Sequence, residues 1–316
     1  MTGVEIMDKK TERIIDLFNR LNNGEIVNKS KAAEQYDVNE RSILRDIQDL
    51  RSYFSNHHDY GKSLIFDKKV NGYRLIRNDH NSLSNSQIFT VCKILLESRA
   101  LVKEEMMPII DNLLSGCVPF GELSKVEELI SNEKLLYLEP NHGKKFVSKM
   151  WNIGSAVREN RFMRIRYQKL TEPDKVMRLI QPVGIMFSEF YFYLIAYISE
   201  SEDNPDVPKR PFPTIYRIDR IAEYEILKEH YTIPYAKRFQ EGEFRKRIQF
   251  MFGGELRRIK FIYKGLSIEA ILDRFPTAQI LDHSDKGWLI TAEVYGDGVD
   301  MWLRSQGNMV EVIKEK

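Results

Sequence analysis

The sequence predicts a multidomain α+β chain of four segments, and three observations carry that prediction. Helical periodicity near the start gives way to a short basic hairpin. The spacing of apolar residues then switches from helical to strictly alternating near Phe162. The last segment orders its elements β-α-β-β-α-β. A length of 316 residues leaves room for two or three domains with their own cores.

In the first segment, residues 1–77, Ile14, Leu17, Phe18 and Leu21 recur at i, i+3, i+4 and i+7, and Asn22-Asn23-Gly24 stops the helix. A short second helix follows Asn28 as N-cap and turns Ala32, Ala33 and Tyr36 inward. Asp37-Val38-Asn39 makes a tight turn, and a third helix runs from Glu40 to about Phe54 with Asn39 as N-cap. Strands at Leu64–Phe66 and Tyr73–Ile76 are joined through Lys68-Lys69-Val70-Asn71-Gly72, where Asn-Gly favours a hairpin. Three helices and a basic hairpin are the layout of a winged helix-turn-helix.

Residues 78–140 read as an acidic helical connector, with five basic and ten acidic side chains. Apolar residues cluster in Ile88–Leu101 and Met106–Leu114; Ser84 and Gln87 have capping-box spacing, and Gly116 is expected to end the second helix. This stretch is a connector or part of an oligomer interface. Residues 141–232 are strand-rich. Met163, Ile165 and Tyr167 alternate with Phe162, Arg164 and Arg166, and strands follow at Arg178–Met186, Phe190–Ser199, Tyr216–Ile221 and Glu223–Leu227. Ser201–Pro213 reads as an exposed loop. Such a run of short strands predicts a small β-barrel or a strongly bent sheet. Residues 233–316 give Arg258–Tyr263, Ser267–Phe275, Ala278–His283, Trp288–Tyr295, Val299–Gln306 and Met309–Ile313. That order is a ferredoxin-like split β-α-β unit, with Gly307 placed where a helix wants a left-handed C′ residue.

Composition narrows the function. Cys92 and Cys117 make no disulfide framework or metal spacing, no secretory signal opens the sequence, and Phe190–Ile198 is too short to span a bilayer. A cytoplasmic protein without a membrane partner is expected. His57, His58, His80, His142, His230 and His283 are scattered, and Gly253-Gly254 lacks the lysine of a phosphate loop. No catalytic residue, metal ligand or cofactor is therefore assigned, and the chain is not expected to be an enzyme. The formal charge is only +2, yet Lys144–Arg178 holds ten basic residues and three acidic ones. Such a run meets anions or nucleic acid, or is simply a solvated surface.

The third helix carries the sharpest chemistry. Ile43, Ile47, Leu50 and Phe54 share one sector, and Arg41, Arg45, Gln48 and Ser52 share the opposite one. Arg reads guanine bidentately and Gln reads adenine, so this face suits the major groove of double-stranded operator DNA. Ser42 and nearby backbone N–H groups are candidates for phosphate, as are Lys68 and Lys69 at the hairpin tip. The plainer alternative is a solvated polar face. Asp46 and Asp49 are expected to weaken the field of this helix, so binding should depend on a homodimer whose contacts lie outside residues 1–77.

Val38-Asn39-Glu40-Arg41-Ser42-Ile43-Leu44-Arg45-Asp46-Ile47-Gln48-Asp49-Leu50 resembles the recognition helix of DeoR-type winged helix-turn-helix regulators, and Gly72-Tyr73-Arg74-Leu75 is similar to their wing. The strand-rich segment resembles the WYL domain, an Sm-like β-barrel. The motif stands as Phe192-Tyr193-Leu194, with Phe in place of Trp, beside Ile165-Arg166-Tyr167, Arg178-Leu179-Ile180-Gln181-Pro182 and Tyr216-Arg217-Ile218-Asp219-Arg220-Ile221. Met301-Trp302-Leu303-Arg304-Ser305-Gln306-Gly307 and Val310-Glu311-Val312 are similar to the C-terminal extension of WYL regulators. The resemblance implies a ligand-responsive transcriptional regulator that senses a nucleotide or single-stranded nucleic acid. It implies Arg166, Tyr167, Arg178, Tyr193, Arg217 and Arg220 as ligand-binding residues. Against that stands the reading that these arginines form structural ion pairs, for instance with Asp219 or Glu223. The rival functions are a constitutive DNA-binding repressor whose C-terminal half only oligomerises, and an accessory nucleic-acid-binding subunit, which the intact recognition helix disfavours.

Overall fold

Side-chain caps start the second and third helices where the sequence places them. The computed structural model describes residues 8–56, 62–77, 83–118, 122–169, 175–199, 205, 208–233 and 238–313. Helices α1 (Lys9–Asn22), α2 (Lys29–Gln35) and α3 (Glu40–Asn56) precede strands β1 (Lys62–Asp67) and β2 (Gly72–Arg77). Asn28 Oδ1 accepts from the Ser30 and Lys31 amides at 3.0 and 3.2 Å, and Asn39 Oδ1 accepts from Ser42 N–H at 2.9 Å. Asn28 Nδ2 also donates to the Asn71 carbonyl at 2.7 Å, so one side chain both caps α2 and holds the hairpin turn. Asn71 is left-handed at φ 48°, but Gly72 is not and already pairs with Asp67 in the ladder, so the strands are joined by the four residues Lys68 to Asn71 and not by a two-residue Asn-Gly turn. Leu17, Leu21, Val27, Ala32, Ile43, Ile47, Leu50, Phe54 and Leu64 make one core beneath these elements.

Three helices follow: α4 (Asn85–Ser98), α5 (Lys103–Cys117) and α6 (Leu123–Leu135). The Ser84–Gln87 capping box forms in both directions. Gly116 does not end α5. The helix runs through it to Cys117, and the Val118 amide still bonds to Leu114 O at 2.9 Å, so the backbone has no need of a left-handed residue there. Met1–Arg99 with Lys103–Leu138 form one compact unit, and Ala100–Val102 with Glu139–Lys316 form a second.

The second unit begins with a helix that the alternating pattern did not announce, α7 (Val147–Glu159), which buries Ile153 and Ala156 against the following sheet. That sheet comprises β3 (Arg161–Gln168), β4 (Lys175–Ser188), β5 (Tyr191–Ile198), β6 (Thr214–Arg217) and β7 (Ile221–His230). Its order is β6-β5-β4-β3-β7, antiparallel throughout. The expected barrel is not closed. Among the described residues β6 pairs only with β5 and β7 only with β3, and a 3-10 turn at Ile218–Arg220 separates them, where the sequence predicts a single strand over Tyr216–Ile221. Closure would need those two edges to pair. Register shifts at Pro182/Gly184 and Arg166/Tyr167 introduce bulges, which bend strands. Residues 201–204, 206 and 207 of the Ser201–Pro213 loop lie outside the described residues.

A second unannounced helix, α8 (Glu241–Arg247), leads to the final segment: β8 (Leu256–Tyr263), α9 (Glu269–Arg274), β9 (Gln279–Ser284), β10 (Gly287–Tyr295), α10 (Gly298–Ser305) and β11 (Val310–Val312). The elements follow the order β-α-β-β-α-β, and the antiparallel sheet runs β11-β8-β10-β9. Ile271, Phe275, Val299, Trp302 and Leu303 from the helices pack on Phe261, Ile290, Ala292 and Val294 of the sheet. Gly307 follows α10 at φ +55°, the left-handed position predicted for it. Phe244, Ile248 and Met251 pack on Met186 and Ile195, joining α8 and the turn after it to the five-stranded sheet. Among the described residues no helix is long and apolar enough to cross a membrane.

Candidate nucleic-acid interface and arginine cleft

On α3 the two sectors separate cleanly. Ile43, Ile47, Leu50 and Phe54 are all buried, whereas Arg41, Arg45, Gln48 and Ser52 are exposed. The second set repeats the spacing of the first two residues earlier, a rotation of about 200° on a 3.6-residue helix. Arg41, Arg45 and Gln48 make no hydrogen bond or ion pair with other described residues. Ser42 is half-buried, and its hydroxyl donates to Asn39 Oδ1 at 3.2 Å, so it serves the cap first. Lys68 and Lys69 are exposed at the hairpin tip, and the Lys69 amide bonds to Asp67 Oδ1 at 2.9 Å.

Asp46 departs from expectation. It is 1% exposed and accepts from Arg13 Nε at 2.6 Å and Nη2 at 3.3 Å. Its bond to Arg13 holds that guanidinium pKa above its ordinary value, against the opposing effect of burial. The charge of Asp46 is therefore spent inside the domain and does not oppose an anion on the exposed face. Asp49 does stay exposed, 3.6 Å from Lys10.

In the second unit, β5 and β6 place Tyr193 directly opposite Arg217. A cleft of about 400 Å³ opens beside them, lined by Tyr167, Tyr193, Arg210, Arg217, Arg220 and Phe252 with their neighbours. Arg217 is gripped on two sides. Asp219 accepts from its Nε and Nη2 at 3.0 and 2.8 Å, and its guanidinium lies 3.4 Å from the centroid of the Tyr191 ring. Burial works against this charge, but the Asp219 carboxylate outweighs it and holds the Arg217 pKa above its ordinary value. Burial likewise pushes the Tyr193 phenol up, with Arg217 opposing. Arg210 and Arg220 have no hydrogen bond or ion pair with other described residues, so the cleft offers two uncommitted guanidinium groups beside one that a carboxylate already holds.

Of the six expected ligand residues, the structure brings Tyr167, Tyr193, Arg217 and Arg220 together. Arg166 sits on the other face of β3 from Tyr167 and pairs with Glu223 at 3.1 Å. Arg178 bonds to the Met177 carbonyl at 3.2 Å and does not line the cleft. The basic run Lys144–Arg178 is not one cleft with these residues. Lys144 and Lys149 donate to the Asp219 and Ile221 carbonyls at 3.1 and 2.7 Å, Arg161 to the Leu227 carbonyl at 2.6 Å, and Arg164 pairs with Glu225 at 2.9 Å. Much of its charge is absorbed by β7 and the turn before it. Arg210 was missed, because it belongs to the loop whose Pro and acidic content reads as solvent-exposed linker. Phe192, the residue in place of Trp, packs on Phe187 and Phe146 with centroids 5.0 and 6.0 Å apart. Among the described residues no His, Cys, Asp and Glu cluster could hold a metal ion.

Residues 150–226 match the family model of the WYL domain, a stretch that begins within α7, takes in β3 to β6 and ends within β7. The comparison with curated proteins found no match. Among solved structures, the chain is similar to proteasome accessory factor B/C (PafBC) of Arthrobacter aurescens, at 16% identity and a TM-score of 0.28. That match covers 97% of this chain and 44% of the other, so the chain spans less than half the length of that protein. It is also similar to a CRISPR Cas-related protein, at 13% identity and a TM-score of 0.34, covering 100% of this chain and 92% of the other. TM-scores this low do not establish a shared overall arrangement.

Proposed function

We propose that this chain, which carries a WYL domain, is a transcriptional regulator that binds double-stranded operator DNA through α3 and the β1–β2 wing and responds to an anionic ligand in the arginine cleft. The observation that carries the reading is the uncommitted row Arg41, Arg45, Gln48 and Ser52 on a helix whose opposite face is fully buried. Such a row matches the donors and acceptors on base edges in the major groove. DeoR-type character for the first domain, a cytoplasmic location and action by binding without catalysis belong to the same reading. So does a homodimer with contacts outside residues 1–77, because two modestly basic modules bind a two-fold site far better than one.

Guanidinium forks suit phosphate, so the ligand class is a nucleotide or a single-stranded nucleic acid. A constitutive repressor whose C-terminal half only oligomerises is the second reading, favoured by the pairing of Arg217 with Asp219 and of Arg166 with Glu223. Titrating the full chain onto a labelled duplex over a range of salt tests the first part. Affinity should fall steeply with salt as counterions are released, and Lys69→Ala should flatten the slope. Adding inorganic tripolyphosphate separates the readings. A shift in duplex affinity that Arg220→Ala removes supports the sensor, and no shift supports the constitutive repressor.

A further inference from the structure

A second cleft, of about 310 Å³, adjoins the arginine cleft and is lined chiefly by Tyr197, Phe212, Phe239, Phe244 and Tyr295. Phe212 and Pro213 belong to both clefts, as a strap between them. On the other side the consecutive glycines Gly253 and Gly254 lie one in each, so the two spaces follow one stretch of backbone. Strand β5 explains their spacing. Tyr193 and Tyr197 are four residues apart and point to the same face, about 13 Å along the strand, with Ile195 buried between them. One strand thus sends one phenol toward the arginines and another into the aromatic space.

The aromatic space is preassembled. Phe244 stacks on Tyr295 with centroids 5.2 Å apart and planes at 26°, and Phe239 meets Phe244 at 5.1 Å. Tyr197, Phe212, Phe239 and Tyr295 all remain partly open to solvent. Aromatic rings left facing water around a concave space offer apolar area and π faces to a planar guest. The arginine cleft has rings of its own, Tyr167, Tyr193, Phe250 and Phe252, but sets three arginines among them, whereas the aromatic space has Arg238 together with Glu243 in its lining.

We propose that the aromatic cleft is a second binding compartment, which takes the planar aromatic ring of a ligand whose anionic end sits at Arg210, Arg217 and Arg220. This rests on the reading that the arginine cleft takes an anion. The ligand is accordingly elongated, with ring and terminal charge far enough apart to pass the Phe212–Pro213 strap.

Calorimetric titration of the full chain with three probes, magnesium-free and at matched ionic strength, tests it: inorganic tripolyphosphate, adenosine and adenosine triphosphate. Adenosine triphosphate should bind at least about tenfold tighter than tripolyphosphate, the gain typical of one stacked base. Tyr197→Ala should remove that gain and leave tripolyphosphate affinity unchanged, whereas Tyr197→Phe should keep the gain. Arg220→Ala should weaken both phosphates alike. Equal affinity for the two phosphates in the wild type, or a gain that survives Tyr197→Ala, overturns the compartment while the arginine cleft stands. Absence of tripolyphosphate binding alongside adenosine binding that depends on Tyr197 overturns the arginine cleft and supports the ring compartment. Binding of none of the three overturns both.

Discussion

Neutralising Asp46 with Asp46→Asn separates two roles that a carboxylate on a DNA-reading helix could have. The side chain is 1% exposed and holds Arg13, itself 11% exposed, through two bonds at 2.6 and 3.3 Å. Breaking a buried pair by removing one charge costs about 3–5 kcal/mol, because the surviving ion keeps its desolvation penalty. Arg13 reaches some solvent and the amide oxygen still accepts one bond, so the lower end, about 3 kcal/mol, applies here. Amide hydrogen exchange on the full chain reads this locally. Protection across α1 and α3 should fall by about two powers of ten, with α9 and α10 unchanged. Duplex affinity at low salt, measured where the variant is folded, should move less than about twofold, since no exposed charge has been altered. Tighter duplex binding with unchanged protection would place the carboxylate on the outer face and refute the reasoning.

Asp219→Asn should release Arg217 and tighten tripolyphosphate binding several-fold by calorimetry; an unchanged affinity would show that Arg217 does not reach the anion. Asn28→Ala removes both the α2 cap and the bond to Asn71, and should lower the stability of the first domain by about 1–2 kcal/mol, with faster exchange in β1 and β2 as the check. Gly307→Ala places a methyl where no atom lies within 4 Å, so only the left-handed backbone resists it. A loss of about 1–2 kcal/mol in thermal or urea unfolding is expected, and Gly307→Asn should lose less.

The elements that the sequence revealed are those whose signal is local. Asn28, Asn39 and Ser84 are short polar residues directly before apolar periodicity, and each caps as expected. Gly307 worked for the same reason, and Gly116 failed because a glycine with no steric demand on it stays helical. Helix α7 was legible in principle: only Lys149, Arg158 and Glu159 of its thirteen residues are charged, and Met150, Ile153 and Val157 recur at i, i+3 and i+7. The burial of Asp46 was legible in principle. It lies three residues after Ile43 and four before Leu50, squarely on the apolar side, with Arg13 on α1 to receive it. The ligand site was half legible. Motif strands located Tyr193, Arg217 and Tyr167, but pairing across strands decided which arginines were free. Arg166 and Arg178 were committed to Glu223 and a backbone carbonyl, and Arg210 came from a loop with no periodic signal.

The account rests on α3 reading bases, and selection from a pool of random duplexes tests that most directly. The full chain should enrich a defined sequence, arranged as two half-sites if the protein binds as a dimer. Arg41→Ala or Arg45→Ala should relax the choice at one or two positions and weaken the enriched site by about 1–3 kcal/mol at matched salt. Lys69→Ala should weaken all duplexes alike and leave the enriched sequence unchanged. No enrichment by the wild type, or the same sequence enriched equally by both arginine variants, would contradict the account.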